Sequence, residues 1–367
     1  MQPRISNRLL AIVLALLMLG VFCTAGAFAA LYAFRDPVAA LLNPPPLPSP
    51  PAFPVPTAAP ATQPPATTAA PPVTQPAPTA TSPALPGTPA PSPLPTGVWP
   101  PPGQIVYVCF VDGWDQICRM DGDGGNQEQL TFAEATDFYP EWGPLGLLIT
   151  FSSRRSGEFA IWLMNADGSD QRQVSPAGTG SLFAPDISPD GSQIVFTNAV
   201  GNWQNIWVMD LDGSNARPLT SGPFNDIDPV WSPDGSQIAF ASDRGADVKH
   251  WVVDAGGGNM RMLPDEIPAQ GGRSDWSPDG RWLAFYAGPQ NDRDIYRVAT
   301  DGSGEWQRLT NGGGNLAPSY SPDGNWIAFT SYRTGGDAEI WVMRADGSDP
   351  RQLTDNDYAD WQPRWGK

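Results

Sequence analysis

The stretch Trp231–Arg244 reads WSPDGSQIAFASDR, and closely related stretches recur along the chain. Each begins with a Ser-Pro-Asp-Gly turn, in which Pro presets φ and Gly can adopt the left-handed conformation, and continues into an apolar strand. The copies repeat every 44 or 45 residues, and a fixed period of this size indicates a repeat architecture. The prolines of the four clear copies and of a degenerate fifth, WGPLGLLITFSS, are Pro189, Pro233, Pro278, Pro322 and Pro144.

Each repeat has room for four short strands. The first is a segment such as Asp228–Trp231, and the second is an apolar strand such as Gln237–Ala241. The third reads IWVMD in its clearest form, and the fourth ends in Leu-Thr. Four short strands in about 44 residues form one blade of a β-propeller. The 264 residues from Gln104 to Lys367 therefore predict six blades.

The two ends of the repeat region indicate how the ring closes. The first repeat opens directly at Gln104 and lacks a Pro-x-Trp strand, whereas the sequence stops just after a spare copy of that strand, Gln362–Trp365. We therefore predict that the C-terminal strand is the innermost strand of the first blade, which leaves few exposed sheet edges.

The segment SPDGSQIAFASDR, together with IWVMDLDGSNARPLT at the same regular spacing, resembles the TolB-like (WD40-like) β-propeller repeat. The similarity covers essentially all of Gln104–Lys367. It implies an all-β, six-bladed propeller of four-stranded antiparallel blades. Members of this family are mostly scaffolds associated with the cell envelope, and the same repeat also forms the non-catalytic domain of some serine peptidases. The resemblance by itself says little about the ligand.

Residues 1–36 have the pattern of an N-terminal transmembrane signal-anchor. Leu9–Phe34 is uncharged, mostly apolar and longer than the roughly 20 residues that a span needs, and Arg4 and Arg8 favour an N-inside orientation. The alternative is a signal peptide cleaved near Ala29, after which the protein would be secreted. Both interpretations place the propeller outside the cytoplasm, in the periplasm or at the cell surface.

Residues 37–102 form a Pro-, Ala- and Thr-rich segment between the anchor and the propeller at 103–367. Proline accounts for 24 of the 59 residues from Pro44 to Pro102, and no charged residue occurs between Pro37 and Val111. Such a segment cannot bury enough apolar surface to offset its ordering entropy, so we predict a disordered, extended linker.

The chain is acidic, with a formal net charge of −17 at pH 7 and only two lysines, Lys249 and Lys367. Phosphate binding needs clustered Lys and Arg, so nucleic acid is excluded as a partner. The acidity favours solubility and mutual repulsion, and we expect a monomer. The remaining partner classes are an envelope protein and an extracellular ligand.

Cys109 and Cys118 lie in the opening hairpin of the first blade, VYVCFVDGWDQICRM. Folding this hairpin about Gly113–Trp114 places the two cysteines opposite each other, at the separation that a disulfide requires. Because an exported chain meets oxidising conditions, we predict a disulfide, the alternative being two packed thiols.

Antiparallel strands divide the loops of each blade between two faces. The Pro-Asp-Gly and Asp-Gly-Ser turns, which are short and nearly identical in every repeat, fall on one face, here called the turn face. The longer and more variable loops fall on the opposite face, here called the long-loop face, where binding residues are expected. Candidate contact residues of this face are aromatic and arginine side chains, which dominate interaction hot spots. They are Arg154, Arg155, Trp203, Arg244, Arg293, Tyr332, Arg333 and Trp361.

The innermost strands should also place side chains near the channel axis. The residue between the Pro and Trp positions is acidic in three repeats, and three carboxylates could hold a divalent cation or a cationic group. The alternative is a set of salt bridges in which Arg364 neutralises a neighbour. No other cofactor is expected. The candidate ligand-binding residues are Glu141, Asp186, Asp275, Ser319 and Arg364.

Residues that could support catalysis are scarce. His250 is the only histidine, and no Gly-x-Ser-x-Gly elbow is present. We interpret His250 as a side chain at a loop edge, and one histidine cannot build a histidine-rich metal centre. The Asp-x-Asp-Gly pairs, such as Asp210 and Asp212, lack the glutamate of a calcium loop and are interpreted as turn residues.

These patterns predict a non-catalytic, membrane-tethered scaffold that binds proteins of the cell envelope. The alternative is a receptor for a small solute, glycan or peptide in the propeller channel. A hydrolase with its site at the channel mouth is disfavoured by the single histidine. An aromatic long-loop face would favour the scaffold, and a deep polar funnel would favour the receptor.

Overall fold

The computed structural model describes residues 99–245, 247–263, 266–267, 270–289 and 292–366. The described residues are built from β-strands and turns, and no helix among them could cross a membrane. The predicted anchor and the predicted linker up to residue 98 lie outside the described residues.

Six sheets of four antiparallel strands form the blades of a propeller. Blade 1 contains β1 (Gln104–Val111), β2 (Trp114–Asp121), β3 (Glu128–Gln129) and β24 (Asp360–Gly366). Blade 2 contains β4 (Asp137–Trp142), β5 (Leu148–Ser153), β6 (Ala160–Asn165) and β7 (Arg172–Gln173). Blade 3 contains β8 (Ser181–Ile187), β9 (Gln193–Val200), β10 (Trp203–Asp210) and β11 (Arg217–Pro218).

The other three blades have the same organisation. Blade 4 contains β12 (Asp226–Trp231), β13 (Gln237–Ser242), β14 (Lys249–Asp254) and β15 (Arg261–Met262). Blade 5 contains β16 (Asp275–Trp276), β17 (Trp282–Ala287), β18 (Asp294–Ala299) and β19 (Trp306–Arg308). Blade 6 contains β20 (Leu316–Tyr320), β21 (Trp326–Ser331), β22 (Glu339–Arg344) and β23 (Arg351–Gln352).

The ring is closed by β24, which pairs antiparallel with β1 so that Gln104 lies opposite Gly366 and Val106 opposite Arg364. The six blades and the closure of the first blade by the C-terminal strand are therefore as predicted. The inner strands β24, β4, β8, β12, β16 and β20 contact one another in this order around the axis. Because each of β4, β8, β12, β16 and β20 leads into a Pro-Asp-Gly-type turn, the inner strands run from the long-loop face to the turn face.

Apolar side chains packed between neighbouring sheets form the core. Ile105 and Met120 of blade 1 are fully buried and pack with Trp326 and Ile340 of blade 6. The tryptophans that end the inner strands are no more than 7% exposed, so they contribute to packing rather than to an open binding surface. They are Trp142, Trp231, Trp276 and Trp365.

Each inner strand, or the segment leading into it, contains one residue with φ between +48° and +56°, a conformation that favours Gly although none of the six is Gly. The pairing register with the second strand shifts at this point in β4 and β12, as in a β-bulge. A bulge bends a strand and turns its side chains, here next to the axis. The six residues are Tyr139, Ala184, Asp228, Arg273, Ala317 and Gln362.

Cys109 and Cys118 form a disulfide, as predicted, with their Cα atoms 5.8 Å apart. The predicted hairpin register is wrong, because the turn between β1 and β2 is Asp112–Gly113 rather than Gly113–Trp114. Both residues of the observed turn have positive φ, the geometry that suits a two-residue hairpin loop. Cys109 therefore lies opposite Gln116, and the disulfide runs diagonally to Cys118.

Residues 99–102, at the end of the predicted linker, pack at the turn face of blades 1 and 6. The ring of Trp99 lies 5.6 Å from that of Trp326 in an edge contact, and the guanidinium carbon of Arg351 lies 4.1 Å from the Trp99 ring centre. Trp365 donates a hydrogen bond from Nε1 to the carbonyl oxygen of Pro102 at 2.9 Å. The chain therefore reaches its first strand along the turn face.

Candidate functional site

The axis of the ring is crossed by Arg364, one of the predicted channel residues. Its Nε lies 2.6 Å from Oε2 of Glu141. Its two terminal nitrogens donate to the carbonyl oxygens of Pro318 and Ser274, each at 3.0 Å. The side chain is buried, so these contacts replace its contacts with water. The guanidinium group occupies the place where the sequence allowed a bound cation.

A second arginine, Arg273, also lies at the axis and was not among the predicted residues. Its Nη2 donates to the carbonyl oxygen of Pro140 at 2.7 Å, and its guanidinium carbon lies 5.1 Å from the ring centre of Tyr139. Arg273 occupies the bulge position, which precedes the proline in the other inner strands but precedes Ser274 here. The signal that could have found Arg273 is its place in the repeat, one residue before the position that holds proline in the other five inner strands.

Three of the predicted channel residues link adjacent blades at the axis. Oδ2 of Asp186 accepts a hydrogen bond from the backbone N–H of Trp231 at 2.6 Å. Oγ of Ser319 accepts from the N–H of Trp365 at 3.0 Å and donates to Oδ2 of Asp275 at 3.0 Å. Each bond joins one blade to the next, so these side chains act as ties between blades.

Burial dominates the electrostatics of the channel. It raises the pKa of Asp186 well above the usual value, and the nearby charge of Glu141 adds to this rise. Burial also raises the pKa values of Glu141 and Asp275, although the charge of Arg364 opposes the rise in both. Burial opposes the charge of Arg364 itself, but Glu141 and Asp275 outweigh it and raise the pKa of Arg364. The charged side chains of the channel thus largely neutralise one another.

On the long-loop face, Arg155 is held by its own blade. Its Nη2 donates to Oδ2 of Asp137 at 2.5 Å, and its Nη1 donates to Oε1 of Gln171. Its guanidinium carbon lies 5.4 Å and 5.1 Å from the ring centres of Phe151 and Trp162. We call this arrangement the arginine stack: an arginine held by a carboxylate or amide at the start of the inner strand and by rings of the second and third strands.

Blades 4 and 6 repeat the arginine stack. Arg244 pairs with the buried carboxylate of Asp226, and the Arg244 side chain is only 13% exposed. Arg333 donates to Oδ1 of Asn315 at 2.9 Å and lies 4.5 Å from the ring centre of Trp341. These three predicted contact residues therefore hold their own blades together, and their exact spacing of 89 residues in the sequence was the signal for a role in the scaffold.

The other predicted contact residues differ in accessibility. Trp203 and Tyr332 are 42% and 43% exposed, and Arg154 is also exposed. Arg293 and Trp361 are half-buried, because each packs against an aromatic ring of the propeller. An accessible aromatic surface on this face therefore comes from only some of the predicted residues.

Two further exposed aromatic residues of the long-loop face were not predicted. Phe132, in the loop between β3 and β4, is 75% exposed, and Tyr358, in the loop before β24, is 55% exposed. Both lie in loops that join one blade to the next. Counting aromatic residues in every loop of this face, including the less variable ones, would have found them.

His250 lies in the core, and its interpretation as a loop-edge side chain is wrong. It is fully buried, its Nδ1 lies 2.9 Å from Oε1 of Gln270, and its ring centre lies 4.6 Å from that of Phe285 in the next blade. His250 is the second residue of β14 and faces the neighbouring sheet, where packing excludes water.

The aspartates of the Asp-Gly turns serve the turns themselves, as interpreted from the sequence. Oδ1 of Asp212 accepts a hydrogen bond from the N–H of Ser214 at 2.9 Å, and Oδ2 of Asp210 accepts from Nδ2 of Asn215 at 2.6 Å. In the part of the chain that the structure describes, no group of three or more His, Cys, Asp or Glu side chains is arranged to hold a metal ion.

Comparison with known proteins agrees with the observed fold. Residues 170–266 and 265–367, together more than half of the chain, match the family model of the TolB beta propeller domain. The solved structure of TolB from Acinetobacter baumannii is similar, with a TM-score of 0.64 and 23% identity over 72% of this chain and 66% of that one. A putative TolB from Agrobacterium tumefaciens gives a TM-score of 0.57 and 20% identity over 72% of this chain and 99% of that one.

One curated relative aligns over a shorter region. It is an uncharacterised protein of Agrobacterium fabrum, 42% identical over 89 residues, which are 24% of this chain and 30% of the relative. The matched region thus spans less than a third of that protein.

Proposed function

Because the chain belongs to the TolB beta propeller domain family, we propose that it is a non-catalytic, membrane-tethered scaffold that binds a protein of the cell envelope through its long-loop face. Residues 1–36 would anchor it, residues 37–102 would act as a spacer, and the propeller would lie outside the cytoplasm. The disulfide between Cys109 and Cys118 is consistent with an oxidising compartment.

The exposed aromatic side chains of the long-loop face carry this proposal. Phe132, Trp203, Tyr332 and Tyr358 are each at least 42% exposed, and they come from loops in different parts of the ring. Large aromatic side chains lose little conformational entropy for the apolar area that they bury, which is why they dominate protein interfaces. Their distribution suits a broad protein partner better than a small ligand.

The channel is less suited to binding a small ligand than the long-loop face is to binding a protein. Arg364 and Arg273 cross the axis and donate to backbone carbonyl oxygens of other blades. A ligand entering at this depth would have to break these buried charge-assisted hydrogen bonds, each worth about 1.5–3 kcal/mol. We therefore favour the protein-binding scaffold over the channel receptor.

Site-specific photo-crosslinking in cells that make the full chain tests the proposal. A crosslinking amino acid is placed at Trp203, Tyr332 or Tyr358, and at Leu145, which is 74% exposed at the turn face, as the matched control. We expect one and the same protein to be crosslinked from the long-loop positions and not from Leu145. Equal yields from Leu145, or no protein from any long-loop position, would contradict the proposal.

A further inference from the structure

Blade 1 lacks the arginine stack, although its strands pair in the same register as those of blade 2. The pairing identifies, for each residue of the stack in blade 2, the residue at the same place in blade 1. A valine replaces the arginine, and a disulfide-bonded cysteine replaces the tryptophan. In blade 1, Val111 takes the place of Arg155, Tyr107 that of Phe151, and Cys118 that of Trp162. Gln127 takes the place of Gln171, and Asp360 that of Asp137.

A cavity of about 170 Å³ lies where the arginine would be. Tyr107, Cys118, Gln127 and Asp360 line it, and these four are the counterparts of the residues that contact Arg155 in blade 2. Gln127 donates from Nε2 to the carbonyl oxygen three residues before it, as its counterpart in blade 2 does. Blade 1 therefore keeps the carboxylate, the glutamine and one of the two aromatic rings that surround the guanidinium group, without the arginine itself.

The other blades show that this combination is specific to blade 1. Blades 3 and 5 also lack the arginine, but they lack the carboxylate as well. In blade 3, Val200 stands at the arginine position and Leu182 at the carboxylate position. In blade 5, Pro289 stands at the arginine position and Gln270 at the carboxylate position. Within the described part of the propeller, blade 1 is the blade that pairs a retained carboxylate with a missing arginine.

The retained carboxylate lies in an acidic setting. Asp360 and Glu339 are 2% and 3% exposed, and Asn356 bridges them. Its Nδ2 donates to Oδ2 of Asp360 at 2.7 Å, and its backbone N–H donates to Oε1 of Glu339 at 3.3 Å. The exposed residues Asp355 and Asp357 flank Asn356 in the same loop. The exposed carboxylates of this loop attract cations to the mouth of the cavity, and a cation bound beside Asp360 favours its ionised form.

We propose that this cavity is a docking pocket for an arginine side chain of the partner protein. The incoming guanidinium group takes the place that Arg155 has in blade 2, with Asp360 and Gln127 as acceptors and the ring of Tyr107 beside it. A planar guanidinium fits a carboxylate and a neighbouring amide oxygen better than an ammonium group does. The inference rests on the proposed function, because it names the chemistry by which a partner would bind the long-loop face.

Restoring the missing arginine within the chain is the first test. In the full-length protein, Val111→Arg should place the chain's own guanidinium in the pocket and raise the thermal midpoint by about 2–4 °C, the shift that about 1 kcal/mol produces in a domain of this size. The matched control is Val200→Arg in blade 3, which has no carboxylate at the corresponding position. This variant should not raise the thermal midpoint. The gain should vanish in Val111→Arg combined with Asp360→Asn. Equal midpoints for Val111→Arg and Val200→Arg would overturn the proposal.

Direct binding of a small probe is the second test and does not depend on any partner. N-acetylarginine amide should bind the full-length protein in a calorimetric titration, and its uncharged isostere N-acetylcitrulline amide should not. Asp360→Asn should weaken binding of the arginine probe at least about tenfold, as expected for loss of a charge-assisted pair. Equal binding of both probes, no binding of either, or full binding to Asp360→Asn would overturn the pocket.

The crosslinking experiment separates this inference from the proposed function. If both are correct, Val111→Arg reduces the yield from a crosslinker at Tyr358 at least about tenfold, because the pocket is already occupied. If long-loop positions crosslink a protein and Val111→Arg leaves the Tyr358 yield unchanged, the scaffold stands and the arginine pocket fails. If no long-loop position crosslinks any protein while the arginine probe still binds, the scaffold fails and the pocket stands as a site for guanidinium compounds.

Discussion

Nε of Arg364 lies 2.6 Å from Oε2 of Glu141, and this ion pair joins the closing strand of the propeller to the inner strand of the neighbouring blade. Both side chains are largely withdrawn from water. A buried charge that loses its partner costs far more than an exposed one, so the integrity of the ring depends on this contact.

Replacing the arginine should therefore destabilise the propeller strongly. Arg364→Met leaves the buried Glu141 without its ion-pair partner, and we expect the free energy of unfolding to fall by about 3–5 kcal/mol in urea denaturation. Combining Arg364→Met with Glu141→Gln should recover part of the loss. The control is Arg217→Met on the exposed surface, expected to change stability by less than about 0.5 kcal/mol. Similar effects of Arg364→Met and Arg217→Met would argue against a role of the ion pair.

Arg155 and Arg154 are adjacent in the sequence but should respond very differently to truncation. Arg155→Ala removes the partner of the buried Asp137 and the contact with two rings, so we expect a loss of about 3 kcal/mol or more. Arg154 is exposed, and Arg154→Ala should cost less than about 0.5 kcal/mol. Chemical denaturation of both variants decides the matter, and equal losses would refute the structural role assigned to the arginine stack.

The disulfide should contribute measurably to stability. Closing a ten-residue loop corresponds to about 2.7 kcal/mol in the chain-entropy model. The double variant Cys109→Ser, Cys118→Ser should therefore unfold at lower urea concentration than the oxidised protein. Adding a reductant should bring the unmodified protein close to the double variant and leave the variant unchanged. A reductant effect of the same size in both proteins would point to another cause.

Asp360 should make stability fall as pH rises. Burial raises its pKa to about 7, and the charges of Glu339 and Asp337 add to the rise while the hydrogen bond from Asn356 opposes it. Burial also raises the pKa of Glu339 and that of Tyr107, so Tyr107 stays neutral in this range.

The sign of this pH dependence follows from the difference between the pKa of Asp360 in the folded protein and in the unfolded chain. Its pKa in the unfolded chain is about 3.9, so the protonated group favours the folded state, fully below about pH 4 and progressively less up to about pH 7. Between pH 5 and pH 8 the protein should lose on the order of 1–3 kcal/mol relative to Asp360→Asn, measured by urea denaturation at each pH. Parallel pH profiles for the two proteins would exclude this assignment.

Two glycines offer a matched test of close packing at the axis. A Cβ added at Gly272 would lie 1.9 Å from Oδ2 of Asp228, whereas one added at Gly336 would meet no heavy atom within 4 Å. Neither glycine has positive φ, so Gly272→Ala isolates the clash. It should cost at least about 1–3 kcal/mol, as overpacking does, while Gly336→Ala should be within about 0.5 kcal/mol of neutral. Thermal unfolding of the two variants compares them directly.

The repeat determined most of what could be predicted. A period of 44 or 45 residues with recurrent turns leaves little freedom in the number of strands, and the incomplete first repeat required Gln362–Trp365 to complete it. The convergence of Glu141 and Arg364 at the axis followed from the same geometry. These features depend on chain order and spacing, which are written directly in the sequence.

Other features depended on local backbone geometry that residue types do not reveal. Arg273 has positive φ and reaches the carbonyl oxygen of Pro140 in another blade, a conformation that its residue type does not reveal, so it was missed. The register of the first hairpin was set by positive φ at Asp112 and Gly113, and that placed Cys109 diagonally to Cys118. Arg155 resembled a surface contact residue because its partners, Asp137 and Trp162, lie in other strands.

Closure of the ring brings Gly103 and Gly366 side by side, so that a Cβ on Gly103 would lie 2.2 Å from the carbonyl oxygen of Gly366. These two ends of the propeller are close enough to be joined by a short peptide, and new ends can be opened at exposed loop tips, as circular permutation of the propeller requires. The order in which the blades follow one another along the polypeptide then depends on which loop contains the new chain ends. Any of the six blades could serve as the first blade of the same propeller.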